Sequence, residues 1–156
     1  MALEYKKFSE VNIDDSFFDS LKADYPEFVD WFISKGNSNA YVSYNEENKI
    51  DGFLYLKVED EELDNMTPSF PQKKRVKLGT FKIDAHGTKL GERFVRKIFD
   101  FAAKENLSEI YVTIFDKHAG LIQLLSRYGF EKLSVKNKVT QNGQEGVYFK
   151  KLVWRD

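Results

Sequence analysis

The run VKLGTFKIDAHGTKLGERFVRKIFDFAAK, residues 76–104, constrains the fold most, because the spacing of its apolar side chains changes abruptly within it. Up to Asp84 it reads as a strand. Beyond the turn, Phe94, Val95, Ile98, Phe99 and Ala102 recur at helical spacing and form one core-facing stripe. A strand that runs through a glycine-containing turn into a helix leaves the first backbone N–H groups of that helix unpaired, and the helix dipole favours an anion there. The stretch DAHGTKLGERF, residues 84–94, is therefore either a phosphate cradle or a plain turn.

The elements that follow continue the alternation. EIYVTIF sets Ile110, Val112 and Ile114 against Tyr111, Thr113 and Phe115, a pattern rich on both faces that predicts a central, doubly covered strand. HAGLIQLLSRYGF predicts a helix closed by Gly129, and EGVYFKKLVW a last strand that completes a mixed sheet.

Upstream, DDSFFDSLKADYPEFVDWFISKG predicts two short helices separated near Pro26, with Gly36 as a stop. The aromatic set Tyr25, Phe28, Trp31 and Phe32 reads as amphipathic-helix core, with a substrate wall as the alternative. AYVSYNEENKIDGFLYLKVEDEE predicts a hairpin turning at NEEN. The acidic EDEELDN and the proline-containing TPSFPQKKR, residues 59–74, read as one long loop, and KKRVK as a solvated strand entrance.

Composition narrows the function. The 156 residues suit one domain, and 42% hydrophobic content with 14 Phe and 8 Tyr is too apolar for a disordered chain. The 24 basic and 25 acidic residues leave a net charge of -1, which creates no global field for nucleic acid or an anionic membrane. The absence of cysteine excludes disulfides, thiolate zinc sites and a cysteine nucleophile. With two histidines, no catalytic metal is expected. No signal peptide or membrane span is read, and a cytoplasmic protein is the expectation.

Two nucleotide-binding motifs fail on the letters. A Walker A loop needs Lys and Ser or Thr after its last glycine, but Gly91 is followed by Glu92 and Arg93. GTKLGE has neither the spacing nor the place of a dinucleotide fingerprint.

The succession from residue 75 to 150 resembles the GNAT family of acetyl-CoA-dependent N-acetyltransferases. Residues 4–58 fit the family's opening strand, two helices and hairpin. The family turn [QR]-x-x-G-x-[GA] falls on HGTKLG, with His86 in the Gln/Arg position, Lys89 in the first glycine position and Gly91 in the second. The family helix N-x-x-A-x-x-x-Y-x-x-x-G-F falls on HAGLIQLLSRYGF. There Gly129 and Phe130 match, His118 takes the Asn position and Leu125 the Tyr position.

The resemblance implies an α+β fold, layered α/β/α, with a mixed, mostly antiparallel central sheet and helices on both faces. It implies acetyl-CoA and an amine acceptor as the partners; from the balanced charge and the lack of an apolar span, no membrane partner is expected, nor nucleic acid for this domain alone. Phe81, Ile83 and Asp84 would line the acetyl end or the pantetheine arm. Thr88, Lys89, Leu90, Gly91 and Glu92 would hold the pyrophosphate, with His86 as a phosphate contact and Gly87 supplying flexibility. His118 would help hold the arm.

The family's tyrosine protonates the departing thiolate, which leucine cannot do, so Tyr128, three residues on, is the candidate acid. Glu59, Asp84 and Glu92 are the acidic candidates for a base. The departures at Lys89 and Leu125 keep a second reading open, a degenerate module acting in protein or RNA interaction. A homodimer, or an attached domain if the chain is part of a longer protein, stays open as well.

Overall fold

The computed structural model describes residues 2–84 and 88–153. Its strands are β1 (Ala2–Lys7), β2 (Asn39–Tyr44), β3 (Ile50–Leu63), β4 (Met66–Thr67), β5 (Phe70–Ile83), β6 (Glu109–Ile114), β7 (Glu131–Lys136) and β8 (Gly146–Lys151). Its helices are α1 (Asp19–Asp24), α2 (Phe28–Ser34), α3 (Thr88–Lys104) and α4 (Ala119–Arg127). The strands hydrogen-bond in the order β1-β2-β3-β5-β6-β8-β7-β4. β5 and β6 run parallel, while β1 with β2, β2 with β3, β6 with β8, β7 with β8 and β4 with β7 run antiparallel. Among the described residues, no helix is long and apolar enough to cross a membrane.

The chain forms two compact units: one takes the chain up to residue 55 and β5 from Thr80, the other takes residues 56–79 and all that follows from α3. An aromatic core holds the first. Phe8 meets Phe32, Phe53 and Tyr55 at ring-centroid distances of 4.8, 5.5 and 5.2 Å, and Phe18 meets Phe32 and Phe53 at 5.4 Å each. Several of these pairs are edge-to-face, an arrangement worth about 0.5–1.5 kcal/mol each beyond area burial.

The helical turns that carry these rings are pinned locally. The Asp15 carboxylate accepts the Phe17 N–H (2.9 Å), capping the 3-10 turn Ser16–Phe18, and also accepts the Ile50 N–H (3.1 Å). The aromatic set near Pro26 is core: Phe28 and Phe32 are buried, and Tyr25 and Trp31 pack against them.

In the second unit Phe94, Val95, Ile98 and Ala102 of the α3 stripe are nearly inaccessible, as is Leu90 one turn earlier, while Phe99 is half-buried. Ile110, Val112 and Ile114 of β6 are buried, and so is Tyr111 on the alternate face, which makes β6 the doubly covered strand expected. α4 ends in a Schellman arrangement. Gly129 takes φ +93, its N–H reaches the Ser126 carbonyl (3.0 Å), and the Phe130 N–H reaches that of Leu125 (3.1 Å).

Residues 59–74 are not the loop their charges and prolines suggested. β3 continues to Leu63 and β5 starts at Phe70, with the short β4 between them. Leu63 and Met66 are buried with Tyr111, Val147 and Phe149, and Phe70 packs against this cluster. The acidic end of β3 lies on the strand next to the basic start of β5, and Gln72 donates to Asp60 (3.4 Å). Neighbouring strands of opposite charge support rather than oppose pairing. Nor is KKRVK wholly solvated. Arg75 is 2% exposed, ion-paired with Glu109, and donates to the carbonyls of Glu61 (3.3 Å) and Pro71 (2.9 Å).

Candidate functional site

The parallel ladder between β5 and β6 registers Val76 with Ile110 and Lys77 with Tyr111. β6 continues three residues further, and its other edge stays paired with β8 as far as Ile114 opposite Gly146. One edge of Val112–Ile114 therefore has no registered partner strand among the described residues. Such an edge offers backbone donors and acceptors to an extended ligand.

α3 opens at Thr88, so the N–H groups of its first turn have no intrahelical partner, and their dipole favours negative charge. Lys89 and Glu92 are exposed, while Leu90 and Gly91 are buried. His86 and Gly87 lie outside the described residues. Phe81 is buried, Ile83 half-buried and Asp84 exposed; the Asp84 N–H is already donated to the Asp51 carbonyl (2.8 Å).

Gly91 has a packing reason to be glycine. A Cβ there would lie 3.1 Å from both terminal methyls of Leu124 on α4, tighter than ordinary contact. The residue lets α3 and α4 approach each other. His118 is the N-cap residue of α4, its carbonyl accepting the Ile122 N–H (3.1 Å), and its side chain is half-buried. Leu125, in the family's tyrosine position, is fully buried. Tyr128 caps the far end of α4 with its ring 6.5 Å from that of Phe99 in an edge contact.

A charged cluster that the sequence did not reveal lies at the last registered pair of the β5–β6 ladder. The Tyr111 hydroxyl donates to Glu59, which also meets Lys57 (2.8 Å) and Lys77 (3.8 Å). Lys77 lies 5.7 Å from the centre of the Tyr111 ring. Burial pushes the Glu59 carboxyl up, but hydrogen bonds from Lys57 and Tyr111 and the charge of Lys77 outweigh it, and its pKa is lowered. Burial, with Glu59 as acceptor, raises the Tyr111 phenol far above its ordinary value, and burial lowers Lys77. Glu59 is thus held as a carboxylate and Tyr111 as a neutral phenol. These residues come from three strands, so no spacing in the sequence could have joined them. Of the three acidic candidates, Glu59 is the one enclosed by partners, whereas Asp84 and Glu92 are exposed.

No family model and no curated protein matches this chain. Solved structures do. It is similar to an aminoglycoside 6'-acetyltransferase type Ii, at 15% identity and TM-score 0.65, over 100% of both chains. It is similar to a GNAT family acetyltransferase from Elizabethkingia anophelis with acetyl-CoA bound, at 12% identity and TM-score 0.65, over 97% of each chain. A chain of the NatC complex bound to Gag peptide and CoA matches at 16% identity and TM-score 0.60, over 98% of this chain and 100% of that one. At these identities the likeness shows the fold, which is that of the GNAT acyl-CoA N-acyltransferases.

Proposed function

We propose that this chain, built on the GNAT fold, is an N-acetyltransferase that moves the acetyl group of acetyl-CoA to an amine. The observation that carries the reading is the early end of the β5–β6 ladder at Lys77 and Tyr111, in a fold whose solved neighbours include proteins with acetyl-CoA or CoA bound.

The pantetheine arm would pair with the free edge of Val112–Ile114, with His118 beside it at the start of α4. The pyrophosphate would accept hydrogen bonds from the first amides of α3, over residues Thr88 to Glu92, and the exposed Lys89 would add positive charge. Phe81, Ile83 and Asp84 remain the candidates for the acetyl end.

In the reaction a neutral amine attacks the thioester carbonyl, the nitrogen sheds a proton as the tetrahedral oxyanion collapses, and the CoA thiolate leaves and takes up a proton. Tyr128 is assigned as the proton donor. Glu59 is a weak base at its lowered pKa, so the amine must arrive neutral and the proton it sheds after attack passes to water.

Calorimetric titration with acetyl-CoA and with free CoA tests the reading. Lys89→Glu is the matching variant, because it reverses an exposed charge without touching the core. Micromolar binding that falls about 10–100-fold in the variant supports the cradle, since a charge-assisted contact is worth about 1.5–3 kcal/mol. No binding overturns the enzyme reading. It would leave an interaction module, the alternative favoured by Leu125, whose complete burial puts an apolar core side chain where the family places its acid.

A further inference from the structure

Among the described residues β1 ends the sheet and pairs with β2 alone. Along an antiparallel strand, successive residues alternate between bonding to the partner and pointing their N–H and C=O groups away from it. The end of β1 fixes which residues do which. The Phe8 N–H donates to the Ser38 carbonyl (2.9 Å), continuing the register of the ladder, whereas the Lys7 N–H is taken by the Glu10 side chain (3.1 Å). Counting back, Glu4 and Lys6 bond to β2, and the backbone groups of Leu3 and Tyr5 face the outer edge.

The side chains along that edge are open to a partner. Tyr5 is 58% exposed, with its ring 4.6 Å from that of Tyr41 on β2. Glu4 is exposed, and Lys6 is half-buried with its ammonium donating to the Tyr44 hydroxyl (3.2 Å). An uncovered edge is a template for another strand. Glu10 closes it at Lys7, but no described strand covers Leu3 or Tyr5.

We propose that the outer edge of β1 pairs antiparallel with β1 of a second copy of this chain, about a twofold axis at Tyr5. In such a contact the residue on the axis faces its own counterpart, so few registers exist. Centred on Glu4, Lys6 or Lys7, the strands would set like charges face to face, which opposes pairing. Centred on Leu3, only Ala2 to Glu4 of the described strand overlap.

Centred on Tyr5, the two Tyr5 residues exchange their outward N–H and C=O groups. The Leu3 N–H then meets the Lys7 carbonyl of the second copy, and each Glu4 stands opposite the second copy's Lys6. The two Tyr5 rings become a cross-strand aromatic pair that extends the Tyr5–Tyr41 contact through the axis. A partner of unrelated sequence has no reason to carry this acid–base match, whereas the chain carries it for itself.

The contact is one strand edge wide, smaller than a permanent interface, so a reversible dimer in the micromolar range follows. None of its residues belongs to the candidate CoA site, and the proposal does not rest on the acetyltransferase reading.

Sedimentation equilibrium of the 156-residue chain, from low micromolar to millimolar concentration, should show monomers passing to dimers and nothing larger, because a twofold contact closes on itself. Glu4→Lys and Lys6→Glu should each weaken the dimer about tenfold or more, since both charge pairs across the axis turn repulsive. An equimolar mixture of the two variants should restore it, because every lysine of one strand then faces a glutamate of the other. In the unaltered chain the Tyr5 amide should exchange with deuterium more slowly as concentration rises, while the Lys6 amide, already bonded to β2, should not respond.

A chain that stays monomeric at millimolar concentration would overturn the proposal. So would association that Glu4→Lys leaves unchanged, a mixture of folded variants that stays monomeric, growth beyond dimers, or a Tyr5 amide indifferent to concentration. Should circular dichroism show that Lys6→Glu loses its fold, the exposed Glu4→Lys and the Tyr5 exchange decide the question between them.

Discussion

A side-chain carbon placed on Gly91 would sit 3.1 Å from both methyls of Leu124, so the second glycine of the candidate phosphate turn is also a contact between α3 and α4. The two roles can be separated by experiment. In urea unfolding Gly91→Ala should gain less than Gly120→Ala, because crowding of Leu124 offsets the helix-propensity gain of about 1 kcal/mol. Gly120→Ala, where an added carbon meets nothing within 4 Å, should be neutral or gain up to about 1 kcal/mol. Equal effects at the two sites would remove the packing role.

Tyr128 can be tested without disturbing the fold, because its ring contact with Phe99 survives loss of the hydroxyl. Tyr128→Phe should leave Tm unchanged and, once an acceptor is found, lower kcat by about 10²–10⁴-fold, the usual contribution of a general acid. An unchanged kcat would take the proton donor elsewhere.

Glu59 gives a pH signature. Its folded pKa lies below the ordinary 4.5, so the unfolded chain binds protons more readily there. Stability from this group is present above the unfolded value and is lost as pH falls through the folded one. Glu109, lowered by Arg75 and Lys73 against its own burial, acts in the same sense. Urea midpoints should fall as pH drops from about 7 to about 3, and Glu59→Gln should make that fall shallower. An identical pH slope in the variant would show that the Tyr111–Glu59 contact does not persist in solution.

The strand extension through residues 59–74 predicts a core cost at positions that a loop would tolerate. Leu63→Ala and Met66→Ala, both in the cluster with Tyr111, Val147 and Phe149, should each lose about 2–5 kcal/mol. Losses below about 0.5 kcal/mol, typical of exposed sites, would restore the loop.

Part of the candidate site was legible beforehand. The strand, turn and helix order placed Thr88 to Glu92 at a helix start, and the YGF ending of α4 located its cap at Gly129. Neither Tyr111 nor Lys77 carried a signal, because their chemistry depends on Glu59, which is 52 residues from Tyr111 in sequence. The bulge that leaves Asp51 as an extra residue between β2 and β3 was equally silent, since a bulge is a property of two strands and not of one.

The sequence by itself determined what is settled within about one helical turn or one strand pleat: the α3 stripe, the alternation of β6, the break at Pro26 and the glycine cap of α4. These follow from side-chain period and backbone preference, which need no distant partner. The tertiary structure decided the rest. It made strands of a charged, proline-containing stretch because Leu63 and Met66 find a core on other strands, and it buried Arg75 because Glu109 lies beside it. It also set Gly91 against Leu124 and left one carboxylate oxygen of Asp51 buried without a hydrogen-bond partner. Those outcomes depend on which distant surfaces meet, and burial and charge neutralisation act only once they have met.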